Sequence, residues 1–202
     1  MKIALIGASG QAGSRILHEL TARGHTVTAI ARNADKISPA EGVIPAAGDI
    51  NDPQALAEVL AGHDAVISSV HFSASDPDKL VDAVKASGVK RYYVVGGAGS
   101  LEVAPGVKVI DTPTFPEMYK TEAETGVRFL EKLRAQHDLT WTFLSPSALF
   151  TAGERTGKFR LGKDTLLTNE QGSSISFEDY AIAMADEIET PAHANQRFTV
   201  GY

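Results

Sequence analysis

The 202-residue chain has no cysteine. That removes disulfides, thiolate metal ligands, iron–sulfur ligation and a cysteine nucleophile together. It is compatible with a reducing cytoplasm, where we expect the protein to act. Basic residues are too few for a nucleic-acid partner. Nineteen Lys and Arg stand against 25 Asp and Glu, a formal charge of −6, whereas phosphate neutralisation calls for a basic stripe. No apolar run approaches the ~18 residues that cross a bilayer, so no membrane partner is expected. The opening Met1-Lys2-Ile3-Ala4-Leu5-Ile6 stops being apolar at Gly7, short of the ~7–15-residue core of a secretion signal. The six histidines (18, 25, 63, 71, 137 and 193) fall in no His-x-His, His-Glu-x-x-His or His-x-x-Glu-His pattern, so no metal site is expected. A Gly-x-Ser-x-Gly elbow is also missing, which argues against a hydrolase. What is there, 43% hydrophobic and 22% charged residues, is ordinary globular composition in a length that suits one domain.

Along the chain, short apolar runs alternate with helical periodicity. Residues 3–6, 27–31, 43–44, 65–67, 92–95, 141–144 and 197–200 read as strands. Between them lie amphipathic stretches opened by Asp52-Pro53 and Asp76-Pro77, in which a capping carboxylate precedes a proline at the first turn. A further helix starts near Pro116, with Ala123, Val127, Leu130 and Leu133 on one face, and another spans 177–188. This alternation predicts an α/β fold of Rossmann-like, doubly wound type, with a mostly parallel sheet in a single domain over 1–202. Two connections, about 98–116 and 150–175, lack a regular pattern and are long for a compact domain. Both follow strands, at the carboxyl edge where open α/β sheets bind ligands. They are the expected substrate loops.

The sharpest local feature is Gly7-Ala8-Ser9-Gly10-Gln11-Ala12-Gly13, directly after the first strand. In such a turn Gly7 permits the tight exit from the strand, Gly10 lets the backbone approach a pyrophosphate, and Gly13 allows close helix packing. The amides around Ser9, Gln11 and Ala12 then face the anion at the helix N-terminus. A P-loop is excluded because no Gly-Lys-Ser/Thr follows. NAD-selective folds usually end the second strand with an acid. Here that strand ends Ile30-Ala31-Arg32-Asn33. Arg32 can clasp the 2′-phosphate of NADP as a fork, or remain a solvated side chain. NADP(H) is therefore the preferred cofactor, with NAD(H) possible. Ser68, Ser69 and Val70 end the fourth strand and would line the cofactor with backbone groups.

The glycine turn resembles that of the atypical short-chain dehydrogenase/reductase superfamily, in its NmrA-like NAD(P)H-binding branch. The likeness covers nearly the whole chain. The C-terminal half is most similar to the NADH-flavin reductase group, through Val94-Val95-Gly96-Gly97-Ala98-Gly99-Ser100-Leu101, Trp141-Thr142-Phe143-Leu144-Ser145-Pro146, Gly153-Glu154-Arg155-Thr156-Gly157-Lys158-Phe159 and Arg197-Phe198-Thr199-Val200-Gly201-Tyr202. The resemblance implies that Arg32 selects NADP and that Asp49, in Gly48-Asp49-Ile50, contacts the adenine; helix capping or loop solvation is the alternative for Asp49.

It also implies a serine and a Tyr-x-x-x-Lys pair, in which the tyrosine donates a proton to the substrate and the lysine holds the nicotinamide ribose. Lys120-Thr121-Glu122-Ala123-Glu124 matches the segment starting at that lysine. The tyrosine position then falls on Pro116 and the serine position on Gly97, with Tyr119 and Ser100 nearby. Lys120, Tyr119 and Ser100 are thus the catalytic candidates, but Tyr119 next to Lys120 points about 100° away around a helix. Ordinary carbonyl reduction fits poorly. Hydride transfer to a flavin survives, because a flavin accepts hydride at a ring nitrogen and solvent supplies the remaining proton.

The expectation is an NAD(P)H-dependent oxidoreductase whose partner is a small flat electron acceptor, with FMN or FAD as substrate rather than bound cofactor. A non-catalytic dinucleotide sensor is the alternative. A nucleotide-sugar epimerase ranks last, since the tyrosine and a sizeable C-terminal sugar domain are lacking. Among lesser signals, His71 at the ligand edge either touches substrate or packs in a loop. Phe115 and Phe150 either wall an aromatic substrate or anchor their loops. Trp141 reads as core, and the basic run 158–163 as a solvated hairpin or a contact for an FMN phosphate.

Overall fold

The computed structural model describes residues 1–202. All seven expected apolar runs lie in strands, extended by one to three residues; the first five are β1 (Lys2–Ile6), β2 (Thr26–Ala31), β3 (Val43–Ala47), β4 (Ala65–Ser68) and β5 (Arg91–Val95). The later strands are β6 (Glu102–Ala104), β7 (Val107–Lys108), β8 (Thr140–Pro146), β9 (Leu149–Thr151), β10 (Arg160–Gly162), β11 (Ser174–Ser176) and β12 (Gln196–Gly201), and the other two runs fall in β8 and β12. The helices are α1 (Gln11–Ala22), α2 (Pro53–Leu60), α3 (Pro77–Ala86), α4 (Lys120–Arg134) and α5 (Phe177–Glu189). Eight strands make one sheet in the order β10-β12-β8-β5-β4-β1-β2-β3. All its pairings are parallel except β10 against β12. The fold is therefore the Rossmann-like α/β domain that the alternation predicts. The strand order reverses beside β1, between β2 and β4, and this topological switch opens a crevice at the carboxyl ends of the strands.

Period-two alternation in β1 divides the core. Ile3 and Leu5 face α1 and α5, whereas Ala4 and Ile6 face α2, α3 and α4. Both sheet faces are thus covered, as a parallel sheet requires. Asp52 caps α2 through the Ala55 amide (3.0 Å), Asp76 caps α3 through the Asp78 amide (2.9 Å), and Ser176 caps α5 through the Asp179 amide (3.0 Å). Each satisfies a donor that the helix cannot.

Four expectations need correction. The 150–175 connection is not irregular: it holds β10, and its two ends pair in parallel as β9 and β11. The 98–116 connection is not irregular: β6 and β7 form an antiparallel hairpin, followed by a 3₁₀ turn at Val109–Asp111. Helix α4 starts at Lys120, because Glu117–Tyr119 is a 3₁₀ turn behind Pro116. The 158–163 run is not a hairpin of its own. Arg160-Leu161-Gly162 is the antiparallel edge strand on β12, and Arg160 donates to the Tyr202 carbonyl (2.5 Å) and the Thr168 carbonyl (2.7 Å).

The 153–159 segment proves to be a strap. Arg155 grips the buried Glu19 carboxylate with two bonds of 2.9 Å, and Arg23 adds a third of 2.9 Å. The Gly153 amide donates to Glu178 (2.9 Å), the Gly157 amide to Asp179 (2.8 Å), and the Thr156 hydroxyl also binds Asp179. Charge-assisted bonds of this kind tie the loop across α1 and α5. They hold Phe150 and Phe177 against each other at 4.6 Å, edge to face.

Candidate functional site

A single cleft of about 930 Å³ runs along the carboxyl edge of the sheet. One end is lined by the glycine turn, Arg32, Gly48, Ile50 and Asn51. The other is lined by residues 95–100, Phe115, Tyr119, Val127, Phe150 and Phe177.

At the first end the backbone does the work. Gly7 has φ +82°, and a Cβ there would lie 2.1 Å from the Ser69 carbonyl oxygen. Only glycine lets the turn cross β4 so closely. A Cβ on Gly13 would meet the Gly7 carbonyl oxygen at 2.2 Å. Gly13 therefore packs α1 onto the turn itself. Gly10 is different: its nearest atom would be that same oxygen at 3.3 Å, so its missing side chain leaves open cleft. Gly10 is also the N-cap of α1. It offers no side-chain cap, and the first turn holds no acid. The amides of Gln11 and Ala12 thus remain for an external anion, on the positive end of the helix dipole. Ser9, Gln11 and Ala12 all line the cleft. A pyrophosphate fits this cradle.

Arg32 stands at the rim, exposed and without a hydrogen-bond or ion-pair partner. Ser69 and Val70 line the cleft. Ser68 does not, contrary to expectation: it is buried, and its hydroxyl pairs with the Tyr92 hydroxyl at 2.8 Å. Backbone groups reach the cleft only from Ser69 onward, one residue beyond the end of β4. Asp49 also lies outside the lining. Its carboxylate accepts from the Asn51 amide (2.9 Å) and the Asn51 side chain (3.1 Å), closing a local turn that presents Ile50 and Asn51 instead. Asp49 caps no helix, since the cap of α2 is Asp52, and its exposed carboxylate serves this local turn.

At the other end, Tyr119, Glu122, Ala123, Gly126 and Val127 face the cleft, following the i, i+3, i+4, i+7, i+8 stripe of one helix face. Lys120 sits at the border of that stripe. Its ammonium turns outward to Glu117 at 3.7 Å, and it is not among the lining residues. Lys120 is therefore in no position to hold a ribose in this conformation. Tyr119 forms part of the wall, 56% exposed. Gly97 leaves the serine position bare, while Ser100 lines the cleft three residues on.

Ser100 has a partner that no sequence pattern announced. Arg197 on β12, 7% exposed, donates to its Oγ at 3.1 Å and to Asp164 at 2.9 Å. Guanidinium has donors only, so Ser100 accepts in that bond and keeps its own proton for the cleft. Glu122 was missed as well. It accepts from the amides of Phe72 (2.7 Å) and Ser73 (2.8 Å) and from the Ser73 hydroxyl. Burial pushes its carboxyl up, but these three donors outweigh that and hold it below the usual range. The helical stripe through Tyr119 points to Glu122; nothing local points to Arg197, 97 residues from Ser100. His71 lies at the rim, its Nδ1 3.6 Å from Glu122. Phe115 and Phe150 are both in the wall, and Trp141 is core at 3% exposure.

Fold and cleft together define an NAD(P)-binding Rossmann protein. Residues 7–191 match the family described as NAD(P)H-binding, and the chain belongs to that family. Among solved structures, it is 41% identical to a Bacteroides thetaiotaomicron protein provisionally described as an epimerase (TM-score 0.95, covering 100% of this chain and 96% of that one). It is 40% identical to a Streptococcus pneumoniae protein provisionally described as an NADH-flavin reductase (TM-score 0.84, covering 100% and 99%). An NAD(P)H azoreductase of Xenophilus azovorans is 26% identical over 98% of this chain and 67% of its own length. These likenesses agree with the resemblance to atypical short-chain dehydrogenase/reductases. No helix is long and apolar enough to cross a membrane.

Proposed function

We propose that the protein is an NAD(P)H-dependent reductase of flat conjugated acceptors, such as free flavins or quinones, with NADP(H) preferred over NAD(H). The observation that carries the proposal is the continuity of the cleft: an uncapped glycine turn at one end runs without a barrier into an aromatic-walled chamber at the other. The described NADH-flavin reductase and azoreductase relatives support the same chemistry. When bound, the dinucleotide supplies a hydride. The chain supplies position, which is the larger part of such catalysis. The amides of Gln11 and Ala12 seat the pyrophosphate and Arg32 the 2′-phosphate. Phe115, Phe150 and Phe177 exclude water and orient a ring. Ser100, fixed by Arg197, offers a hydroxyl hydrogen bond to an acceptor oxygen and keeps its proton. The remaining proton comes from solvent, so no tyrosine–lysine pair is needed. A small-molecule acceptor is the partner in this scheme, with no part for nucleic acid or membrane, and a cysteine-free chain suits the cytoplasm.

The outward turn of Lys120 and the bare Gly97 favour one competing reading, a non-catalytic NAD(P)H sensor. The same outward lysine weighs against an epimerase built on a tyrosine–lysine pair. Anaerobic oxidation of NADPH and NADH with FMN, FAD, riboflavin and quinones decides between reductase and sensor. Acceptor-dependent oxidation is expected. Tight NADPH binding with no oxidation by any of these acceptors would give the site to sensing.

A further inference from the structure

We propose that the acceptor chamber selects an uncharged ring, a quinone or a phosphate-free isoalloxazine, over a phosphorylated flavin. This rests on the reductase reading above and specifies its substrate. Arg32 is the sole lysine or arginine that lines the cleft, and it stands at the far end, beyond the glycine turn. In the chamber the carboxylate is Glu122, held ionised by the Phe72 and Ser73 donors, with the exposed imidazole of His71 at the rim.

Four cations near the chamber are already engaged. Arg197 behind Ser100 is paired with Asp164. Arg15, 5.8 Å over the Phe177 ring, is paired with Glu178 at 3.0 Å. Lys120 faces Glu117, and Arg160 is bound to the carbonyls of Thr168 and Tyr202. A phosphate dianion entering here gives up hydration, finds no lysine or arginine in the chamber lining to replace it, and faces a carboxylate in a chain of formal charge −6. A neutral ring meets an aromatic wall and uncharged hydroxyls, those of Ser100 and Tyr119.

Riboflavin and FMN carry the same ring and differ by the phosphate, so they isolate the effect. Their binding to the NADP⁺-loaded protein is read by quenching of flavin fluorescence, with no turnover required, at low and high salt. Riboflavin is expected to bind about five- to tenfold more tightly at low ionic strength. The gap should close as salt screens the charges. Thr114→Lys places a cation on the exposed rim of the chamber and should tighten FMN selectively. Equal or tighter FMN binding by the wild type at low salt would overturn the selectivity while leaving the reductase reading intact. So would a riboflavin preference that salt leaves unchanged, because it would report shape and not charge. If neither flavin binds and no quinone is reduced, the reductase reading falls and this inference with it.

Discussion

The two ends of the cleft are built by different means. The cofactor end is made of backbone: glycines whose absent side chains set the approach, and helix amides left uncapped while α2, α3 and α5 are capped by Asp52, Asp76 and Ser176. The acceptor end is made of side chains brought from α4, the 98–116 connection, the segment 146–150 and the start of α5, with Arg197 of the last strand holding Ser100 from outside the lining. Backbone geometry needs residues at fixed spacing and is therefore local in sequence. Side-chain geometry depends on tertiary contacts and is not. The first end suits any dinucleotide of one shape, whereas the second can change its ligand by exchanging a few residues.

The largest expected effect strikes the backbone end. Gly10→Val projects a branched side chain into open cleft and should abolish dinucleotide binding with the fold retained. By contrast, Gly7→Ala meets a backbone oxygen at 2.1 Å with positive φ and should cost stability itself. Calorimetric titration and thermal melts on both variants separate the two roles. Normal cofactor affinity in a folded Gly10→Val protein would break the comparison at its base.

Next in size is Arg32→Ala. A charge-assisted phosphate contact contributes ~1.5–3 kcal/mol, so NADPH affinity should fall roughly ten- to a hundredfold while NADH is spared. Equal affinity of the wild type for both cofactors would leave Arg32 a solvated side chain.

Those two ends also differ in how far the sequence displayed them. The glycine turn, Arg32 and the alternation of the fold were readable because each rests on spacing within a few residues. Ser68 and Asp49 were misplaced by a residue or two: the lining begins at Ser69, just past the end of β4, and Asp49 closes a turn that presents Ile50 and Asn51. Lys120 matched a motif, yet its side chain turns to Glu117, since α4 begins only at Lys120 and a 3₁₀ turn precedes it. The 153–159 segment was recognisable by resemblance without a physical reason. Its contacts with Glu19, Glu178 and Asp179 supply one. The Arg197–Ser100 contact was illegible because it joins β12 to the loop after β5 across the sheet.

The acceptor end should respond more mildly. Ser100→Ala removes one neutral donor and should lower turnover roughly three- to tenfold, in line with ~0.5–1.5 kcal/mol per hydrogen bond. Arg197→Lys should lower it comparably, but add nothing in a Ser100→Ala background, since coupled residues are non-additive. Full additivity would detach Arg197 from Ser100. Tyr119→Phe should stay within a few-fold of wild type. A hundredfold loss would instead make Tyr119 the general acid, whose contribution is typically ~10²–10⁴-fold. Lys120→Ala should leave both binding and turnover nearly unchanged, because the ammonium lies outside the cleft.

The smallest effect is on pH dependence. The Glu122 carboxyl is held below its ordinary value of 4.5 in the folded protein, so its contribution to stability is present above that value and is lost as pH falls through the lower, folded one. The protection factors of the Phe72 and Ser73 amides, corrected for intrinsic exchange, should therefore fall in acid below about pH 4.5, and Glu122→Gln should remove that dependence.

The claim that both ends serve one reaction is tested most directly in a single turnover. NADPH carrying deuterium at the transferable position is bound to the protein and mixed anaerobically with riboflavin. The account predicts acceptor-dependent oxidation of the bound cofactor, slowed severalfold by the deuterium, in wild type and in Tyr119→Phe alike. Persistence of the reduced cofactor while riboflavin is bound beside it would contradict the account.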